Sequence, residues 1–274
     1  MLLFLVASGI ALIFGVLRVI NFAHGAYFTL GAYIGFQASH SFGSIWIAIP
    51  VAIVAGLLIG ALQEVATFRP IYRYPHAFQL LASVGFALVL EAAIRFCWGL
   101  EYKNVNPPAL LTGSAEVFGT SISNYRLFVI VVSAAISGGL LWCIDRTSIG
   151  LLIRAASSNS DMTECLGIDV DRLRTYILSA GAALAALAGV IAAPLIPVQL
   201  GMGTMVLIDC FLVVVLGGLA SIKGVLLAAL VYGMCQAFGQ LLFPTWVQVA
   251  TYSAALLILV VRPSGLFAAR ERLA

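Results

Sequence analysis

Charge is what this chain has least of. Only 9% of its 274 residues are Lys, Arg, Asp or Glu, while 62% are hydrophobic. Ordinary soluble domains carry roughly 25% charge and 45–50% apolar residues. Too few polar side chains exist to coat a water-facing surface of this size, so a soluble fold is excluded. Disorder is excluded as well, because it needs low hydrophobicity and high charge. The mean hydropathy of +1.10 agrees. Motifs that would carry chemistry are also missing. Cys97, Cys143, Cys165, Cys210 and Cys235 form no CxxC and read as small apolar packing residues. Three widely spaced histidines give no metal signature, and no convergent Ser/His/Asp set suggests an enzyme. No GxxxxGK[ST] phosphate loop occurs; the nearest approach, Gly218 to Gly224, has Lys223 before Gly224. Residues 1–16 have neither a basic leader nor a clear small-residue cleavage site, so they read as a retained span.

Long apolar runs are what is present. A membrane-spanning backbone must satisfy its own hydrogen bonds, which leaves helices or a closed barrel. A barrel alternates apolar and polar residues over roughly ten positions. Here Ile45 to Ala66 and Phe128 to Ile144 are continuous apolar stretches, each near the ~20 residues that cross a ~30 Å hydrocarbon core. Nine segments are expected, at about 1–17, 25–39, 45–66, 77–98, 126–144, 175–196, 204–221, 224–243 and 246–261. The second is short enough to be a broken or tilted element, so eight or nine crossings follow. Small residues recur every fourth position at Gly31/Gly35, Gly56/Gly60, Gly181/Ala185/Gly189 and Ala229/Gly233/Ala237. Such stripes let helix backbones approach closely in lipid.

The few charges sort by side. Arg69, Arg73, Arg146, Arg154, Arg172, Arg174, Lys223, Arg262, Arg270 and Arg272 fall together under strict alternation of spans, and Arg18 joins them. Arg95, Lys103 and Arg126 fall opposite. Positive residues mark the cytoplasmic face, so the 145–174 loop and the C-terminus are expected there, with the 99–125 loop outside. Residues 145–174 hold nine of the 25 charged residues. Asn159 or Ser160 caps a short helix at about Asp161 to Leu166, with Asp161 in its first turn. Gly167 ends it in the left-handed conformation, and a second helix starts near Asp169. The segment reads either as a solvated connector or as a docking element for a cytoplasmic partner.

Ionisable groups inside spans are costly and are usually functional or paired. Glu91 and Arg95, four apart with the acid first, are expected to pair. Asp209 stands near the outer mouth of the seventh segment, where lining an entrance and pairing with a partner are equally open. Asn21 and His24 interrupt the run between the first two segments. That break is either a plain turn or a cavity-lining half-helix end.

Four stretches carry a family resemblance: GVLRVINFAHGAYFTLGAY (Gly15 to Tyr33), GLLIRAASSNSDMTECLGIDVDRLR (Gly150 to Arg174), VVVLGGLASIKG (Val213 to Gly224) and RPSGLF (Arg262 to Phe267). In this order they resemble the LivH-type permease, the branched-chain amino acid family of ABC importer membrane subunits. The resemblance implies an all-α polytopic bundle of eight or nine membrane segments, one permease domain over 1–274 with a cytoplasmic coupling loop at 145–174. It implies a second, LivM-like permease subunit, two cytoplasmic ABC ATPase subunits that bind the ATP, and a periplasmic substrate-binding protein, all at a bacterial inner membrane. No cofactor is expected in this chain, and no nucleic-acid partner. ATPase coupling falls to Arg154, Asn159, Ser160, Asp161, Glu164 and Gly167. The translocation path falls to Asn21, Phe22, His24, Gly25, Glu91 and Asp209. The chain departs from the family pattern where Met1 begins inside the first span, at Asp209 (commonly Lys), at Glu91 (commonly uncharged) and at Ala220 (usually Gly). The competing expectation is an ion-coupled secondary transporter with Glu91, Arg95 or Asp209 as a relay, needing no ATPase.

Overall fold

A computed structural model describes residues 1–117, 120–219, 221–262 and 265. Ala220, Arg270, Arg272 and most of the RPSGLF tail lie outside the described residues. The helices are α1 (Leu2–Leu17), α2 (His24–Phe42), α3 (Ala48–Gln63), α4 (His76–Trp98), α5 (Asn124–Arg146), α6 (Ser148–Ser158), α7 (Ser160–Cys165), α8 (Val170–Ala192), α9 (Met202–Gly217), α10 (Ile222–Leu242) and α11 (Val247–Val261). A 3-10 turn, Ile45–Ile47, leads into α3, which continues as a π-helical turn, Glu64–Phe68, and a 3-10 turn, Arg69–Ile71. Each of the nine apolar segments coincides with one of these helices.

Five of these stretches are long and apolar enough to cross a membrane: Ile45–Ile71, α4, α5, α8 and α10. Leu2–Leu17, Met202–Gly217 and Val247–Ile258 are apolar but shorter. The 99–125 loop carries regular structure. Strand β1 (Ser114–Val117) pairs antiparallel with β2 (Thr120–Ser123), Ser114 opposite Ser123, so the bundle carries a small hairpin. Lys103 and Val198 exchange backbone hydrogen bonds of 2.9 and 2.8 Å, fixing this loop beside the far end of α8.

Helix α8 is the post of the bundle. Its apolar stretch is 72% buried, against 22–28% for the other four long ones, and α1, α2 and α3 all pack on it. Close approach needs residues without side chains. A Cβ at Gly31 would strike the backbone of Ala186, and one at Gly189 the Phe28 carbonyl. A Cβ at Gly56 would stand 2.6 Å from Ala183 Cα. Three of the four small-residue stripes therefore form one joint. The fourth does not: Ala229 is buried, but Gly233 has no atom within 4 Å of a Cβ position and Ala237 is exposed. Spacing alone does not say which side of a helix meets a neighbour.

The chain reverses between α1 and α2 in an unusual way. Arg18 ends α1 in the left-handed region (φ 53°), its N–H donating to the Phe14 carbonyl at 2.9 Å. The chain then runs back along α1, with Val19 and Asn21 buried. Helix α2 starts at His24, whose Nε2 meets the Val6 carbonyl at 3.0 Å. Val6 lies about 16 Å along α1 from Leu17, at a rise of about 1.5 Å per residue. Helix α2 thus begins deep in the bundle.

Gly31→Ala and Gly189→Ala should each destabilise the protein by about 1–3 kcal/mol through overpacking. Gly233→Ala should leave it unchanged. Thermal denaturation in detergent, read by loss of monodisperse protein, separates the two classes.

Candidate functional site

The deep start of α2 is held by side-chain amides. Asn21 Nδ2 donates to Gln63 Oε1 at 2.9 Å, and Gln63 Nε2 donates back to Asn21 Oδ1 at 3.0 Å. Asn21 Oδ1 also accepts the Ala23 N–H at 3.0 Å, and the Tyr27 hydroxyl donates to Gln63 Oε1. Phe22 N–H donates to Ser83 Oγ on α4 at 3.2 Å. Asn21 and Gln63 are essentially buried. Buried amides need partners, and this pair satisfies itself while fixing the connector to the end of α3. The next residue, Glu64, accepts the Tyr72 hydroxyl at 2.7 and 2.8 Å, and the Arg174 guanidinium lies 4.7 Å from the Tyr72 ring centre.

In front of this knot lies a cleft of ≈ 170 Å³ between α2, α4 and α9. Phe22, Gly25, Ala26, Glu91, Thr204 and Leu207 are among its lining residues. Phe22 is partly exposed there and its ring stands 5.5 Å from that of Phe211. Gly25 allows the contact with α9: a Cβ would strike the Gly203 carbonyl. Thr29 Oγ1 accepts the Gly203 N–H at 3.1 Å, tying the same two helices.

Three of the six expected path residues, Phe22, Gly25 and Glu91, therefore line one cleft. Asn21 and His24 stand behind it in the core, His24 held to Val6 and packed against Gly9. Asp209 is elsewhere. It accepts the hydroxyls of Tyr232 (2.6 Å) and Tyr252 (3.0 Å), joining α9, α10 and α11. The expected Glu91–Arg95 pair does not form: among the described residues no ion pair within 4.0 Å includes either. Arg95 is exposed and one turn nearer the end of α4, where a long side chain reaches the interface instead.

The opposite feature is the cluster of charge. Arg69 Nη2 donates to Thr175 Oγ1 at 3.0 Å, Arg18 Nη2 to the Ser157 carbonyl at 3.3 Å, and Lys223 pairs with Asp145 at 2.8 Å. These contacts put α1, α3, α5, α8 and α10 ends together with the 145–174 loop, as the charge sorting predicts. Within the loop, Asn159 Oδ1 accepts the Met162 N–H at 3.0 Å and caps α7. Gly167 (φ 84°) ends it, its N–H bonding the Glu164 carbonyl at 2.9 Å. Asp169 Oδ1 accepts the Arg172 N–H at 2.9 Å and starts α8. The observed helix, Ser160–Cys165, matches the expected one to within a residue. Ser160 Oγ lies 3.3 Å from Asp161 Oδ1, and Asp161 and Glu164 are exposed. Arg154 bonds back to the Ile144 carbonyl, closing the end of α5 over α6. Met162 and Leu166 are 60% and 74% exposed. Behind α7 a polar cleft of ≈ 390 Å³ opens toward Arg18, Tyr72 and Arg174.

Sequence reasoning passed over Gln63, Glu64, Tyr27, Ser83 and the whole of α6. A signal existed for the first two: adjacent polar residues at the end of an apolar run, the kind of group that membranes retain for a reason. The π-helical turn that follows is the sort of local distortion found at functional sites.

Apolar helices that span by length, closed around a central post, with a cleft at depth and a charged helix-bearing loop at one end, define a multi-pass helical membrane protein. The chain belongs to the family described as branched-chain amino acid transport system / permease component, whose model matches residues 1–261. It is 30% identical to the high-affinity branched-chain amino acid transport system permease protein BraD of Pseudomonas aeruginosa, over 97% of this chain and 92% of that protein. It is 26% identical to the corresponding permease LivH of Escherichia coli K12, over 97% and 91%. A probable branched-chain permease LivM of Methanocaldococcus jannaschii is 26% identical over 82% and 68%. No solved structure matches.

Gln63→Leu should cost about 1–3 kcal/mol, because it strands the buried Asn21 amide. The double variant Asn21→Leu/Gln63→Leu should cost less than the two single changes added together. Thermal stability of the four proteins in one detergent gives the coupling directly.

Proposed function

We propose that the chain is a membrane-spanning permease subunit of an ABC importer for branched-chain or related small amino acids. The observation that carries this reading is α7. It is a capped helix of six residues, with Glu164, Met162 and Leu166 exposed, at the end of the molecule where the cations gather. A chain without a phosphate loop needs a motor elsewhere, and α7 is the shape that docks into a cleft on one. Family membership over nearly the whole chain supports the same reading.

In this mechanism two cytoplasmic ATPase subunits close on ATP, and Arg154, Asn159, Ser160, Asp161, Glu164 and Gly167 carry the movement into the permease. The helices rock as rigid bodies and expose the path to each side in turn. A periplasmic binding protein delivers the solute, and a second permease, of LivM type or a second copy, supplies the facing wall. Asn21, Phe22, His24, Gly25, Glu91 and Asp209 belong to the path or hold it. The charged end is cytoplasmic in a bacterial inner membrane, and eight or nine helices cross.

Glu164→Arg should lower solute uptake and solute-stimulated ATP hydrolysis about tenfold, the loss of one charge-assisted contact, with membrane insertion unchanged. Full coupling in that variant removes Glu164 from the docking surface. Topology has its own test in the native thiols. With the other cysteines replaced, Cys165 should react with a membrane-impermeant maleimide only in inside-out vesicles, and Cys97 only in right-side-out ones. The reverse pattern overturns the orientation.

A further inference from the structure

Glu91 is an acid without a counter-ion. It is half-buried on α4, facing the cleft. Its expected partner Arg95 does not reach it, and among the described residues no cation lies within 4.0 Å of its carboxylate. Among the described residues its side chain has no hydrogen-bond partner either, although Thr204 lines the same space. A lone carboxylate at membrane depth is costly, so the group calls for a partner from outside this chain.

The rest of the cleft defines that partner. Phe22, Val84, Ala87, Leu88 and Leu207 give it apolar walls. Side-chain oxygen comes from Glu91 and Thr204 alone among the lining residues. A metal cation asks for several more oxygens than that: six to eight for calcium, or an octahedral shell for magnesium. An organic ammonium asks for one carboxylate and one or two further acceptors, and its carbon skeleton is at home against aliphatic and aromatic walls.

We propose that Glu91 receives the ammonium group of the transported solute, and that this contact is what turns away uncharged amides and urea. The inference rests on the importer reading above and narrows its substrate class. Glu91 is then a specificity-determining residue of the path.

The test uses the assembled importer, with its own partner subunits and binding protein, in proteoliposomes. Radiolabelled L-leucine, acetamide and urea are offered to wild type, Glu91→Gln and Glu91→Asp. Wild type should take up leucine and neither neutral solute. Glu91→Gln should lose about tenfold in leucine uptake, the loss of one charge-assisted contact. Its copurification with the partner permease should remain intact. Glu91→Asp should retain most of the uptake. Wild-type leucine uptake in Glu91→Gln overturns the inference. So does a Glu91→Gln chain that no longer copurifies with the partner permease, which would assign the carboxylate to a subunit contact. A wild-type complex that carries acetamide or urea and not leucine overturns it while leaving the importer reading standing. Uptake of none of the three overturns the importer reading and the inference together.

Discussion

Helices in lipid have to find one another without a hydrophobic drive, since lipid tails are as apolar as leucine. What remains is close packing, and this chain concentrates it around α8. Gly31, Gly56 and Gly60 bring α2 and α3 against α8, and Gly181 meets Gly9 on α1. Every other feature depends on that joint. It lets α8 stand almost wholly enclosed, and α8 is the direct continuation of α7 through Gly167 and the Asp169 cap. The exposed helix at the charged end and the buried post are thus one stretch of chain, separated by a single turn. In the proposed importer, a push on α7 arrives at the element on which three helices are seated.

The deep start of α2 depends on the same joint. A connector that runs back into the bundle leaves backbone donors where no water reaches them, and each needs a local acceptor. Asn21 accepts the Ala23 N–H through its side chain and the His24 N–H through its carbonyl, and Ser83 accepts that of Phe22. Gln63 holds Asn21 from the end of α3. The polar letters of this region are hydrogen-bonding equipment for a broken helix. Their cost at depth is offset because they bond one another.

How much of this the sequence disclosed varies with the physics involved. Apolar length is a one-dimensional quantity, so the nine segments were legible, and so was the α7 cap, because Asn159, Asp161 and Gly167 are local signals within one turn of chain. The gathering of the cations at one end was legible because alternation and cation count need no coordinates. Facing was not. Gly233 and Gly181 look alike in a fourfold pattern, yet one points away from the bundle and the other sits against Ile13. The Glu91–Arg95 spacing permits a pair, but α4 turns Glu91 to the cleft and leaves Arg95 exposed. Helix α6 was hidden because its run from Ser148 to Ser158 is amphipathic and short, and the two strands of the hairpin are four residues each. Gln63 sits in an apolar run, and only the fold brings it to Asn21, 42 positions away.

The contrast between tight and loose joints bears on how such a molecule can move. Helices α1, α2, α3 and α8 meet backbone to backbone, where any sliding is blocked by carbonyls already in contact. Helix α4 is different. Its buried residues are Gln79, Ser83 and Ile94, Gly85 on it has no neighbour within 4 Å of a Cβ position, and its polar tie to the α2 entry is the bond from Phe22 N–H to Ser83 Oγ. The cleft lies on the boundary between the two kinds of joint: α2 and α9 form its fixed wall, tied by Thr29 and Gly203, and α4 with Glu91 forms the other. Packed cores respond to load by moving as blocks. A rocking motion therefore has its natural seam between α4 and the α2–α9 wall, and the acid that faces the cleft rides on the side that is free to shift.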